Sequence, residues 1–143
     1  MTTLDEAAGL GRDEQGLAVV STLRADSTIQ SSLVNAGVLT PPAGGDHVLA
    51  FVTYGRVKLA NLRKRPQVTV TFRSGWRWAT VEGRASLLGP VDGDLDAERL
   101  RVLLRDIFQA AGGTHDDWDT YDRVMAEQGR TAVLIEPTRV YGN

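Results

Sequence analysis

The alternation of apolar and polar residues along the chain predicts six β-strands. Each stretch is rich in β-branched or aromatic residues and is bounded by residues that favour turns. The six stretches are residues 17–23, 28–39, 48–54, 68–72, 76–88 and 131–135. We expect an interruption of the second strand at residues 35–37, a bulge in the fifth at Gly83, and an end to the sixth at Pro137.

Four other segments have helical spacing. A capping box at Thr3 predicts a short helix that ends at Gly11. A helix of two turns is predicted within residues 55–66, where Leu59 and Leu62 are three residues apart. Pro66 excludes helix from Arg65 onward and so sets the end of this helix. The remaining helices are predicted over residues 96–112 and 117–128, each with apolar residues on one side.

The order of these elements indicates the fold class. Sequential hairpins with no alternation of strand and helix favour a mainly β, antiparallel barrel with helices packed outside it over a doubly wound parallel sheet. A chain of 143 residues is long enough for one hydrophobic core and short for two. We therefore expect a single domain over residues 1–143.

Composition narrows the classes of partner. The net charge of −2 gives no bulk basic field for nucleic acid or an anionic membrane, and the absence of cysteine excludes disulfides and thiolate chemistry. No apolar run approaches the roughly 20 residues of a membrane helix. The first six residues carry two acids and no basic residue, unlike a secretory signal. We expect a cytoplasmic protein with neither nucleic acid nor membrane as a partner.

The common catalytic and nucleotide-binding motifs are missing. The sequence contains neither the glycine pattern of dinucleotide-binding folds nor that of P-loops, and no serine lies in a nucleophile elbow. The two histidines, His47 and His115, lack the spacing of metal ligands, so we interpret both as solvated loop residues and predict no metal site.

The strongest local anomaly is basic. Five of the 16 cationic residues lie within residues 56–65 of a net-acidic chain. Arg56 and Lys58 fall in the first turn of the predicted second helix, where free N–H groups and the helix dipole favour an anion. This pattern is consistent with a phosphate clamp and equally with a solvated basic helix. Arg63, Lys64 and Arg65 decorate the surface or lie near an anionic tail.

Two further features have alternative interpretations. Trp76 and Trp78 are two residues apart in a strand and so point to one face, for packing in a core or dimer or for ring stacking. The polar run Gln30, Ser31 and Ser32 interrupts an apolar strand, as expected of an exposed edge or of contact with a polar heterocycle.

Taken in order, these segments resemble the pyridoxamine 5′-phosphate oxidase-like superfamily of flavin and deazaflavin oxidoreductases. The resemblance is greatest to its branch that uses coenzyme F420, and it runs from about Gly16 to the end of the chain. The basic segment, the following Asn-Leu-Arg-x-x-Pro at 61–66 and the Trp-x-Trp-x-x-x-Glu-Gly at 76–83 carry it as an ordered set. The resemblance implies a split β-barrel of the FMN-binding type, assembled as a homodimer with two cofactor sites at the interface.

The resemblance also implies roles for individual residues. Arg56 and Lys58 would hold the cofactor phosphate, with Asn61 near the helix start and Thr53 close to the phosphate or polyol. Gln30, Ser31 and Ser32 would line the ring system. Trp76, Trp78 and Arg130 would approach from the partner subunit. No residue is assigned as catalytic, because the cofactor ring itself carries the hydride.

The implied function is hydride transfer between reduced F420 and a small organic acceptor such as an enone, a quinone or a tetrapyrrole like biliverdin. The alternatives are an FMN-binding flavin reductase or oxidase on the same fold, and a non-catalytic cofactor-binding or haem-binding protein. Arg63, Lys64, Arg65 and Arg77 favour the deazaflavin, which carries a polyglutamate tail. The longer C-terminal extension of the true pyridoxamine phosphate oxidases, with its Arg and His, is missing, so vitamin B6 oxidation is not implied.

Overall fold

The computed structural model describes residues 2–143, and within them the six predicted strands and four predicted α-helices are all present. A short 3₁₀ helix, Arg12–Glu14, was not predicted. In chain order the elements are α1 Leu4–Leu10, β1 Leu17–Leu23, β2 Ile29–Leu39, β3 Val48–Thr53, α2 Arg56–Lys64, β4 Gln67–Ser74, β5 Arg77–Leu88, α3 Ala97–Ala110, α4 Trp118–Glu127 and β6 Thr131–Gly142.

The strands form a closed antiparallel barrel in the order β1-β2-β3-β6-β5-β4, so the predicted fold class is confirmed. Alternate residues of each strand point inward. The inward set includes Val20, Phe51, Phe72, Val81 and Val133, none of which is exposed. Ala7 of α1 and Leu62 of α2 belong to the same core cluster, because each helix packs its apolar side against the barrel. None of the helices in residues 2–143 has the length and apolarity needed to cross a bilayer.

Helices α3 and α4 cover the outer side of β3, β6 and the second half of β2. Ala50 and Leu134 on the strands, Leu103 and Ile107 on α3, and Tyr121 on α4 form a second buried cluster. Both helices begin as the sequence predicts: Asp96 and Asp117 accept hydrogen bonds from backbone N–H groups of the first turn. This layer leaves the outer face of β1 and of the first half of β2, residues 29–33, without a helix from the described chain.

Strand β2 is continuous, which corrects the predicted interruption at residues 35–37. It pairs with β1 as far as Asn35 and with β3 only from Ala36 onward. Gly37 is needed there because a Cβ at this position would lie 2.3 Å from the carbonyl carbon of Ala110, at the end of α3. The change of partner leaves residues 29–35 with a neighbouring strand on one side only. The barrel is therefore closed between β2 and β3 only over residues 36–39 of β2, and residues 29–35 form an open edge of this strand.

Strand β6 extends to Gly142, so the prediction that Pro137 ends it is wrong. Beyond Ile135 this strand pairs only with β5, and a residue without an N–H is tolerated on such an edge. The bulge predicted at Gly83 is confirmed by a register shift between Glu82 and Gly83, and the extra residue, Thr138, lies on β6.

Candidate functional site

The start of α2 is an uncapped helix N-terminus. Gly55 is the N-cap residue and no side chain of the described chain bonds to the first-turn N–H groups. The N–H of Gly55 donates to Thr53 Oγ1 at 3.2 Å, which fixes the chain between β3 and the helix. Because the free N–H groups and the helix dipole both favour negative charge, this end of α2 is suited to an anion.

Lys58 lies in this first turn and is buried, with 7% of its surface exposed. Its Nζ lies back over the N-cap, 3.7 Å from where a Cβ on Gly55 would stand. No carboxylate of residues 2–143 forms an ion pair with it. Burial lowers the pKa of Lys58, and the positive charge of Arg130 lowers it further. The ammonium is therefore held in the protein without the negative partner that usually accompanies a buried cation.

Arg130, just before β6, is the second cation at this place. Its guanidinium carbon lies 4.0 Å from the centre of the Tyr54 ring, and its Nε donates to Gln128 Oε1 at 2.8 Å. It too forms no ion pair with any carboxylate that the structure describes, and burial lowers its pKa. Arg130 is close enough to Lys58 of its own chain for its charge to lower the pKa of that lysine, which differs from the expectation that Arg130 reaches the site from a partner subunit.

Arg56 and Thr53 complete the same neighbourhood. Arg56 is the first residue of α2 and is exposed, whereas Thr53 is buried at the end of β3 with 5% exposure. Four of the predicted site residues, Thr53, Arg56, Lys58 and Arg130, are thus brought together around one helix N-terminus. Tyr54, which packs against Arg130, was not predicted.

Asn61 does not lie near the helix start, as expected, but is the sixth residue of α2 with its side chain turned towards the barrel. Its Nδ2 donates to Thr22 Oγ1 at 3.0 Å, and Thr22 Oγ1 donates to Gln30 Oε1 at 3.2 Å. This buried chain of hydrogen bonds joins α2 to β1 and to the open edge of β2. It links the basic end of α2 to the polar run that begins at Gln30.

The three residues of that polar run do not share one surface. Gln30 and Ser32 point to the inner side of β2, while Ser31 points outward and its Oγ lies 2.8 Å from Ser21 Oγ. Ser32 Oγ is buried and has no hydrogen-bond partner among the described residues. Because buried hydroxyls normally have a partner, Ser32 marks a position where a ligand atom would restore one.

Trp76 and Trp78 lie towards the other end of the barrel from α2. Trp76 is 94% exposed in the β4–β5 turn rather than in a strand, and Trp78 packs edge-on against Tyr141. Along β4, Val68 pairs with Thr22 beneath α2 and Arg73 pairs with Trp78, five residues later. Five residues of strand span roughly 17 Å. Within one chain, therefore, the tryptophans do not join the basic site.

Two of the additional cations, Arg63 on α2 and Arg65 just after it, have structural partners. Arg63 forms a two-pronged ion pair with Asp92, at 3.0 and 2.8 Å, and Arg65 Nε donates to the carbonyl oxygen of Leu23 at 2.9 Å. The sequence interpretation of both as decoration or as contacts for an anionic tail is therefore corrected. Lys64 and Arg77 remain exposed.

The two histidines lie in loops, away from these residues. His47 is exposed between β2 and β3. His115 is more packed than predicted, since its ring lies among Phe108, Trp118 and Tyr121 and its Nδ1 accepts the N–H of Asp117 at 3.0 Å.

Comparison with known proteins gives matches over nearly the whole chain. The family model described as pyridoxamine 5′-phosphate oxidase matches residues 4–143. A conserved hypothetical protein of Mycobacterium tuberculosis is similar in structure, with a TM-score of 0.68 and 16% identity over 99% of this chain and 84% of the other. A structure titled F420 reductase gives a TM-score of 0.62 and 17% identity, over 99% of this chain and 98% of the other.

A third similar structure comes from Clostridium acetobutylicum. Its title relates it to general stress protein 26 of B. subtilis, in the pyridoxinephosphate oxidase family. The TM-score is 0.63 with 12% identity, covering 96% of this chain and 85% of that one. At these identities the structural matches establish a shared fold.

Proposed function

The chain belongs to the pyridoxamine 5′-phosphate oxidase family, and from this premise we propose that it binds coenzyme F420 and reduces a small organic acceptor. The observation that carries the proposal is the pair of cations, Lys58 and Arg130, held without a carboxylate beside the uncapped N-terminus of α2. A phosphate group is the kind of anion that such a cluster of N–H donors and cations recognises.

The residues present fit a phosphorylated cofactor with a polar ring. Lys58, Arg56 and Arg130 would hold the phosphate, with Thr53 beside it. Ser32, whose buried hydroxyl has no partner within residues 2–143, and Gln30 would face the ring along the open edge of β2. When bound, the cofactor supplies the ring that carries the hydride, and the protein contributes binding and orientation.

Orientation comes from the buried hydrogen bonds around the site. Asn61 and Thr22 hold Gln30 in position, and Gly55 N–H on Thr53 holds the loop before α2. Lys58 and Arg130 would offset the charge of the phosphate. No residue here is assigned a role in proton transfer.

The second candidate is an FMN-binding flavin reductase or oxidase with the same phosphate site. It gains support from Arg63 and Arg65, because their bonds to Asp92 and Leu23 remove two of the cations that favoured a polyglutamate tail. F420 is supported by the similarity to a structure titled F420 reductase. The proposed acceptors are enones, quinones or tetrapyrroles such as biliverdin.

We extend the proposal to a homodimer with shared sites. The outer face of β1 and β2 exposes four large apolar side chains: Leu17, Val19, Ile29 and Leu33, at 40%, 43%, 65% and 65%. A second copy packed on this face would remove them from water. Trp76 and Trp78, which are distant from Lys58 within one chain, would then approach the site of the partner.

Titration separates the two cofactors. Quenching of F420 fluorescence by the purified protein measures the affinity for F420, which we expect to be at least about tenfold higher than the affinity for FMN. We also expect the protein to oxidise reduced F420 in the presence of an acceptor from a panel of candidates. Equal or reversed affinities would favour the FMN alternative. Binding of neither cofactor would contradict both candidates.

Mixed dimers test the shared site. A Lys58→Met chain and a Trp78→Ala chain are each expected to be nearly inactive as homodimers. If Trp78 serves the partner's site, half of the sites in a heterodimer carry neither lesion, and activity partly returns on mixing. The pair Lys58→Met and Arg130→Gln is the control. Because Lys58 and Arg130 belong to the same chain's cluster, each site of this heterodimer carries one lesion and no recovery is expected. Recovery would show that Arg130 serves the partner's site. No recovery with Trp78→Ala in confirmed heterodimers, or a monomer by light scattering, would contradict the shared site.

A further inference from the structure

A cavity of about 670 Å³ lies between α3, α4 and the segment that joins β5 to α3. Its walls are largely apolar. They include Leu95, Leu100, Leu104, Tyr121 and Met125. Cavities of about 300–1,000 Å³ accommodate small organic ligands. Of the residues assigned to the α2 site, Arg130 is the one that lines this cavity.

The charged residues at the rim of this α3–α4 cavity are paired, with one exception. Arg101 bonds to Glu98 through its Nε, at 2.9 Å, and to Asp122 at 3.2 Å. Arg105 also bonds to Asp122, through its Nε at 2.9 Å. Arg130 lines the same cavity and forms no ion pair with a described carboxylate. An anionic group of a ligand can therefore meet Arg130 without displacing an acid that already neutralises it.

A second cavity, of about 220 Å³, lies between this region and Asn35, at the end of the open edge of β2. It is lined by Asn35 and Val52 of the barrel and shares Tyr121, Met125 and Arg130 with the larger cavity. The Tyr121 hydroxyl donates to the carbonyl oxygen of Leu104 at 3.0 Å, which fixes the side chain that borders both spaces. Arg130 thus faces the α2 site on one side and the α3–α4 cavity on the other.

We propose that the α3–α4 cavity binds an apolar organic anion whose charged group pairs with Arg130. As the acceptor site, this inference rests on the proposed function, since Arg130 is also part of the basic cluster at α2. The apolar walls select a hydrophobic body, and the unpaired guanidinium selects a carboxylate or similar group on it. The acceptor is therefore an apolar molecule with an acidic substituent rather than a neutral one.

Two fluorescent probes with one ring skeleton test the cavity. 8-Anilinonaphthalene-1-sulfonate carries an anionic group, and N-phenyl-1-naphthylamine is its neutral counterpart. Ala126 lines the cavity from the exposed side of α4, so Ala126→Trp fills it, and the neighbouring Glu127→Trp, which does not line it, is the matched control. We expect Ala126→Trp to weaken both probes about tenfold and Glu127→Trp to leave both within about twofold.

Arg130→Gln tests the charge separately. We expect it to weaken the anionic probe about tenfold and the neutral probe less than about twofold. Unchanged binding of both probes to Ala126→Trp, or an equal effect of Arg130→Gln on the two probes, would overturn the inference. F420 quenching in Ala126→Trp separates this result from the proposed function. Cofactor binding with no probe in the cavity refutes only the acceptor site, and probe binding without cofactor binding refutes only the cofactor proposal.

Discussion

Two groups of buried or partly buried cations in this protein differ in the residues that surround them. Between α3 and α4, Arg101 and Arg105 share Asp122, and Arg101 also bonds to Glu98. At the start of α2, Lys58 and Arg130 are close enough for the charge of Arg130 to lower the pKa of Lys58, Arg130 packs on Tyr54, and neither cation pairs with a carboxylate of the described chain. The first group is complete within the chain, whereas the second is not.

Under the proposed function, the paired cations have a structural role and the unpaired cations have a binding role. A buried cation costs stability unless an anion lies beside it, and two unpaired cations cost more because they also repel each other. In the α3–α4 group, Glu98 and Asp122 offset that cost. At α2, an external anion such as a phosphate would offset that cost. A bound ligand would therefore stabilise the folded protein, and without a ligand the two cations destabilise it.

The largest effect on stability is expected where the paired group is broken. Asp122→Asn would leave Arg101 and Arg105 next to each other, and we expect a loss of about 2 kcal/mol in the free energy of unfolding. Asp106→Asn, a change on the exposed side of α3, is the control. Urea unfolding followed by circular dichroism measures both variants. A loss no larger than the control's would show that the ion pairs of Asp122 contribute nothing.

At α2, removing a cation is expected to raise the free energy of unfolding rather than lower it. Lys58→Met keeps the length of the side chain and removes an unpaired buried charge, so we expect a gain of about 1 kcal/mol in the free energy of unfolding without ligand. Lys64→Met, on the exposed part of the same helix, should change little. The same urea series measures both. A less stable Lys58→Met would indicate that this ammonium has a stabilising partner.

A carboxylate introduced at the start of α2 should give the cations there a negative partner, as Asp122 does for Arg101 and Arg105. Val57 is 53% exposed in the first turn, and Val57→Asp would place a negative charge at the helix N-terminus. We expect a gain of about 0.5 kcal/mol in stability. We also expect a roughly fivefold loss in affinity for a phosphorylated cofactor, by repulsion. Val57→Asn separates charge from shape, and an equal loss with this variant would remove the electrostatic explanation.

The smallest effect is a pH dependence of stability. Burial and Arg130 lower the pKa of Lys58 below its ordinary value of 10.5, so the folded protein releases this proton at a lower pH than the unfolded chain does. Stability from this group therefore rises as pH increases through the interval below 10.5. The difference in free energy of unfolding between wild type and Lys58→Met should become smaller as pH rises through that interval. A constant difference in unfolding free energy between pH 7 and 10 would contradict the shifted pKa.

Local patterns were sufficient to predict most of the fold. Alternation identified all six strands, side-chain caps identified the starts of the helices at Thr3 and Asp96, and apolar spacing identified the helix after Asp117. The errors concern pairing. Pro137 ends a central strand but not an edge strand, and whether β6 is an edge there depends on where β3 stops.

The site was predicted less completely, because its decisive contacts join residues far apart in sequence. Arg63 was expected to be free, but its partner Asp92 is 29 residues away. Arg130 was expected from another subunit, but the return of β6 beside β3 brings it to Lys58 and Tyr54. The local signal that held was the helix start after Gly55, where a basic residue and free N–H groups coincide.

The most direct test compares two cations of α2. Calorimetric titration of F420 into wild type, Lys58→Met and Arg63→Met compares an unpaired cation with one that is paired to Asp92 on the same helix. Loss of a charge-assisted phosphate contact should cost about 1.5–3 kcal/mol, so Lys58→Met should bind roughly tenfold to a hundredfold more weakly. Arg63→Met should bind within about threefold of wild type. Equal weakening in the two variants, or wild-type affinity in Lys58→Met, would contradict a phosphate site at the start of α2.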